Sequence, residues 1–220
     1  MDPISVLKRI LPIIAQQIGD MPGGGDMPGG GDMPSFNSRS DGPSGAKGGK
    51  GSSSSGKPLD PGPNKELEPH KKGIDDAAEI SGLDPNLIGA QVWAESRGDP
   101  ETKTNNEDGN EDTGVMQISQ ERWENEIAPE LDDETRQKIM DKTGKRPEEL
   151  DMSNPEEGII GGSLEMKSKI DECDGNVEEA LGYYVSGEKG GNDVYTKNVM
   201  QYMKELENGE KLSEDPFGSP

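Results

Sequence analysis

From Asp20 the chain writes Asp-Met-Pro-Gly-Gly-Gly twice, and Asp32-Met33-Pro34 starts a third copy. A six-residue unit of this composition offers one apolar side chain and three glycines, so it cannot stack into a solenoid. The stretch continues through Ser52–Ser55 and a Gly-, Lys- and Pro-rich run to Pro63. It holds too little apolar surface to offset the entropy of ordering the chain. Residues 20–63 are therefore expected to be a flexible linker, and any core must be built elsewhere. Gly 31, Pro 17 and only 27% hydrophobic residues in 220 agree with a chain much of which lies outside a core. The expected division is a short segment 1–19, the linker 20–63, one domain 64–209 and a disordered tail 210–220.

In the first segment Ile4, Leu7, Leu11, Ile14 and Ile18 recur at helical spacing around Pro12. Such a stripe suits docking on a partner or lying on a membrane surface, although a weakly ordered tail reads equally well, because isolated helices this short are marginal. No run approaches the roughly 18–20 apolar residues that a transmembrane helix needs. Lys8, Arg9 and Pro12 interrupt the apolar run, and no small-x-small cleavage site follows, so it is a poor secretory signal. Export by another route is the expectation.

Charge excludes one class of partner. Residues 1–63 carry six basic and six acidic residues, so the whole net charge of −22 falls on the remainder. A surface this acidic repels phosphate backbones, and no nucleic-acid role is expected. One cysteine, Cys173, and one histidine, His70, leave no disulfide and no Cys/His zinc cluster to assemble. No metal or cofactor is expected. The acidic loop 105–112 invites a calcium reading, but with Gly109 at position six the first and last ligands would be Thr104 and Val115, which fails the EF-hand pattern.

The domain reads as all-α, because alternating β-branched runs bounded by turns are missing. Helices are expected over 74–80, 85–96, 114–126, 133–143, 154–170, 177–184 and 193–207. The second is the best marked, with Asp84 as N-cap, Pro85 in the first turn and Gly98 after its end. On it Ile88, Val92 and Glu95 are spaced by four and three, which puts a carboxylate on the apolar face. That is an expensive place for a charge. Desolvation should raise the pKa of such a group and keep it protonated near neutral pH, ready to act as a general acid.

Several blocks then follow the order found in soluble lytic transglycosylase domains. They are Ala94-Glu95-Ser96, Asp112-Thr113-Gly114-Val115-Met116-Gln117-Ile118, Asn154-Pro155 with Gly158, Gly161 and Leu164, Ala180-Leu181-Gly182-Tyr183-Tyr184-Val185-Ser186-Gly187, and Tyr195 to Val199. The resemblance covers about residues 73–205 and implies a lysozyme-like helical domain. Asn105-Asn106, the Gly-containing loop, the Asp112 to Ile118 block and Trp123 resemble more narrowly the specialised enzymes of secretion systems, conjugation machines and phages.

The resemblance implies peptidoglycan as substrate and Glu95 as the catalytic residue. Glu95 would protonate the glycosidic oxygen between MurNAc and GlcNAc, then take the proton of the muramic 6-hydroxyl, giving a 1,6-anhydro sugar. Ser96, Gly114, Met116, Gln117 and Tyr184 would bind or shape the cleft for substrate. Tyr184 matches the family tyrosine that points toward the glutamate, while Val185 departs from the usual Asn. Met116 and Tyr184 also fit plain core packing, and Trp123 reads as core. The place of action would be the bacterial cell wall or periplasm, reached as a secretion-machine substrate or virion component through residues 1–19. Two other readings stay open: a hydrolytic lysozyme, with Glu107, Asp108, Glu111 or Asp112 as second acid, and a catalytically idle wall-binding scaffold.

Overall fold

The computed structural model describes residues 57–105, 109, 111–189 and 193–218. The amphipathic segment 1–19, most of the expected linker, and Glu107 and Asp108 lie outside the described residues. What is described is mostly helical, as expected for a lysozyme-like domain. Seven α-helices form it: α1 (Lys71–Ser81), α2 (Pro85–Ser96), α3 (Gln120–Arg122), α4 (Asp133–Thr143), α5 (Pro155–Glu172), α6 (Val177–Ser186) and α7 (Asp193–Glu207).

Local chemistry sets the ends of the element that matters most. Asp84 stays extended and its side chain accepts the Asn86 N–H at 2.8 Å, while Pro85 occupies a position whose N–H needs no partner. Helix α2 is buried almost all round, with Leu87, Ile88, Ala90, Val92 and Trp93 in the core. It stops at Arg97, a non-glycine residue at φ 57. That left-handed backbone is unfavourable for a residue with a Cβ. It is offset here by what the side chain gains, since the guanidinium lies over the rings of Trp93 and Tyr202 at 5.4 and 5.6 Å.

Around α2 the bundle packs α7 along one side, antiparallel, so that Gly89 near the start of α2 meets Leu206 near the end of α7. Helix α5 carries Gly161 and Gly162 because other chain must pass close by. A Cβ on Gly162 would come within 2.9 Å of the Met116 Cβ, below any real contact distance. Trp123 is buried, as read, and its indole N–H donates to the Pro147 carbonyl at 2.9 Å.

Three expectations need correction. A helix over 114–126 does not form: Gly114 at φ 72 and Gln117 at φ 46 make a tight turn, and helix begins only at Gln120, capped by Ser119. It then runs into a π-helical stretch, Trp123–Ile127. Strand is present, because Lys103–Asn105 (β1) and Glu111–Thr113 (β2) pair antiparallel. Three-residue strands are too short to print an alternating pattern.

The third correction concerns the boundaries of the domain. Leu59 is buried and its N–H donates to Asp75, so the fold begins before residue 64. Residues 212–218 form a strap instead of a disordered tail. Ser213 holds the Glu205 carboxylate, and the Ser213 carbonyl accepts the Trp93 indole N–H at 2.8 Å. Tyr202 and Arg97 bond the Glu214 carbonyl, Arg97 also pairs with Asp215, and Asn198 ties down Phe217 and Gly218 with both ends of its amide. Single polar residues made these bonds, and no apolar periodicity announces them.

Candidate active site

Glu95 lies on the last turn of α2, half-buried, where the helix hands over to the hairpin. Its carboxylate Oε1 accepts the Tyr195 hydroxyl at 2.6 Å. Tyr195 comes from the first turn of α7, a hundred residues on. Burial is the first cause that lifts the Tyr195 pKa well above 10, with the Glu95 charge adding to it. The phenol therefore stays protonated across the neutral range and acts as a fixed donor to the carboxylate. Tyr184, on α6, stacks on Tyr195 with ring centroids 6.4 Å apart and planes 19° apart, which holds that ring in place.

Ser96 is buried and works on the backbone. Its hydroxyl donates within reach of the Val92 and Val115 carbonyls, at 3.2 and 3.0 Å, and accepts the Gly98 N–H at 3.1 Å. A single side chain thus caps α2 and fastens the turn 114–117 beside Glu95. The His70 ring meets the Gly98 carbonyl at 2.8 Å and secures the same corner.

The other residues expected to meet substrate are gathered near this corner, but their side chains are turned to different tasks. Gln117 accepts the Thr104 hydroxyl at 2.7 Å and donates to the Thr102 and Gly114 carbonyls at 3.0 and 2.8 Å. Its amide braces the hairpin. Met116 is fully buried against Gly162, so its side chain is floor beneath the turn. Gly114 stands at φ 72 with its α-carbon side close to the Met152 carbonyl, a conformation that suits glycine. Tyr184 is buried and its hydroxyl approaches the Met116 carbonyl at 3.5 Å.

One residue of the site is not marked by the sequence. Tyr195 lies in one of the family-like blocks, but its bond to Glu95 depends on how α7 crosses α2. Among the described residues, no group of three or more His, Cys, Asp or Glu is placed to hold a metal ion, and no helix is long and apolar enough to cross a membrane.

The Transglycosylase SLT domain family matches residues 72–205, well over half of the chain. This chain belongs to that family. The match runs from α1 to within two residues of the end of α7 and includes Glu95, Ser96, the turn 114–117, Tyr184 and Tyr195. The strap at 212–218 lies outside it. No curated protein matches the chain. Among solved structures it is similar to an inactive mutant of the lytic transglycosylase Slt from Pseudomonas aeruginosa, at 17% identity and TM-score 0.44. That similarity covers 66% of this chain and 25% of the other, so this SLT domain protein spans about a quarter of the enzyme's length.

Proposed function

We propose that the domain is a peptidoglycan lytic transglycosylase in which Glu95 serves first as general acid and then as general base. The observation that carries the reading is the half-buried Glu95 carboxylate with a phenol donor fixed on one oxygen. Cleavage of the MurNAc–GlcNAc bond needs a proton on the leaving oxygen. A donor aimed at Glu95 stabilises the carboxylate left when that proton has gone. The same carboxylate can then accept the proton of the muramic 6-hydroxyl as it closes on the anomeric carbon, and the 1,6-anhydro ring forms without water.

A hydrolytic lysozyme would want a second acid across the sugar. Of the candidates within the described residues, Glu111 is exposed and paired with Lys103 at 2.8 Å, and Asp112 is buried in β2. Their placement favours the one-carboxylate route. The wider setting we infer is local opening of the wall for a secretion machine or virion, with residues 1–19 as the docking segment. Its support is the amphipathic spacing of Ile4 to Ile18 ahead of a linker-like stretch.

The test is digestion of purified peptidoglycan by the protein and by Glu95→Gln, with mass analysis of the released fragments. Anhydro-muropeptides are expected from the first. Release should fall by about 10²- to 10⁴-fold or more in the second, with melting unchanged. Products heavier by one water would establish the lysozyme reading instead. Wall binding without any release by the unmutated protein would establish the scaffold.

A further inference from the structure

The family match ends at residue 205, and the strap at 212–218 follows it. From Ser213 onward the strap is bonded to α2 and α7, the two helices that bring Glu95 and Tyr195 together. The Ser213 carbonyl takes the Trp93 indole N–H at 2.8 Å, and the Ser213 N–H donates to the Glu205 carboxylate at 2.9 Å. The Glu214 carbonyl takes the Arg97 guanidinium at 2.7 Å and also the Tyr202 hydroxyl, while Asp215 pairs with Arg97 at 2.8 Å. Asn198 accepts the Phe217 N–H at 3.1 Å and donates to the Gly218 carbonyl at 3.0 Å. On α7 these partners step back from 205 through 202 to 198, toward the first turn, where Tyr195 stands. On the other side they step from Trp93 to Arg97, the residue that ends α2.

Trp93 and Arg97 are one helical turn apart, and the Arg97 guanidinium also donates to the Trp93 carbonyl at 2.5 Å. The strap therefore grips the turn that carries Glu95. Tyr195 and Asn198 are three apart on α7 and share a side of it. The strap thus holds each helix within one turn of the residue that it contributes to the pair. A hydroxyl on a carboxylate at 2.6 Å tolerates little sliding of one helix past the other, because such a bond weakens steeply with distance and angle.

We propose that the strap is a positioning device for the reaction, bridging Trp93 and Arg97 on one side and Asn198, Tyr202 and Glu205 on the other, so that the Tyr195 hydroxyl stays on the Glu95 carboxylate. The inference rests on the reading of Glu95 as the acid. It adds to the shared domain a part that lies outside the family match. Arg97 and Asn198 are its positioning residues, and both act through the Glu95–Tyr195 pair.

The experiment frees the strap from one helix at a time in the full chain. Asn198→Leu keeps the size of the side chain and removes both bonds to the strap's end. Arg97→Gly removes the grip on the other side, and glycine suits the backbone at φ 57, so a fault in the folding of one variant leaves the other to decide. Each is made alone and together with Tyr195→Phe. Cleavage of soluble, uncross-linked glycan strands is followed to give kcat and KM, well below the melting temperature of every variant. Each single change should lower kcat about 5- to 10-fold with KM within about twofold, because displacement of a reacting group by roughly 1 Å can cost as much as 10²-fold in rate. Combined with Tyr195→Phe, neither change should lower kcat further, since the hydroxyl it serves is gone. A part that merely held the fold together would cost the same in both backgrounds. Equal losses in both would therefore overturn the inference, as would unchanged kcat in both single variants, a loss carried by KM alone, or full kcat in Tyr195→Phe. Failure of the underlying reading looks different: the unmutated protein would release no more than Glu95→Gln, and the inference would fall with it.

Discussion

Glu95 and Tyr195 meet at 2.6 Å across a hundred residues of chain, and most polar side chains around them serve the backbone. Gln117 is the clearest case, since its one amide serves Thr104, Thr102 and Gly114. Gln117→Ala should therefore cost about 1–3 kcal/mol, the penalty for leaving partly buried polar groups unpaired. Calorimetric melting would measure it. Activity should fall with it as the hairpin loosens beside Glu95, and rescue of that activity by simple cooling would show the effect to be one of order. Unchanged melting would mean that the amide is not the brace described. Glu95 itself was legible in the sequence, because a carboxylate in register with Ile88 and Val92 breaks a strong pattern. Gln117 reads in the sequence as a residue lining the cleft, and its work as a brace does not show there, for its partners are three backbone and hydroxyl groups that only the folded turn brings near. Tyr195 was not legible as the partner of Glu95, because nothing local to either residue encodes the crossing of α2 and α7.

Among the helices, α1, α4 and α5 are joined by a small charged network. Lys72 bonds Asp76 and Glu156 at 2.9 Å each, and Lys142 reaches Asp76 at 3.2 Å and also pairs with Glu79. Burial pushes the Asp76 pKa up, but the hydrogen bonds from Lys72 and Lys142 outweigh it, so the net shift is downward from 3.8. A carboxyl whose folded pKa is depressed adds stability above its unfolded value and loses it as the pH falls through the folded one. Melting should thus drop more steeply below about pH 4 in the unmutated protein than in Asp76→Asn. Equal slopes in acid would show that the network does not hold the helices. At this scale the reading of 133–143 and 193–207 as helices survived in full, since periodic apolar residues and caps are local facts. The stretch 114–126 misled because residues such as Met116, Gln117 and Ile118 form helix readily, and the turn is imposed by Gly114 and by packing on α5.

For the whole molecule, the ends of the described chain are bound to each other. Asn64 donates to the Pro61 and Glu210 carbonyls and accepts the Leu212 N–H, so the segment before α1 and the strap after α7 share one residue. A protein beginning at residue 57 should melt like the full chain. One beginning at residue 64 loses Leu59 from the core, about 1.5–3 kcal/mol for a leucine of that burial, along with its bond to Asp75. Melting of both by circular dichroism separates them, and identical curves would contradict the place given to Leu59.

The strap has a further consequence that concerns time. A chain is made from its N-terminus, so Glu95 is synthesised long before Tyr195, and Ser213 to Gly218 emerge after both. Until then the indole of Trp93 lacks the Ser213 carbonyl that takes its N–H, and the guanidinium of Arg97 lacks the Glu214 carbonyl and Asp215. A half-made molecule carries its acid without the parts that aim it. On the proposed function, the power to cut the wall then arrives only after residue 218 has been made.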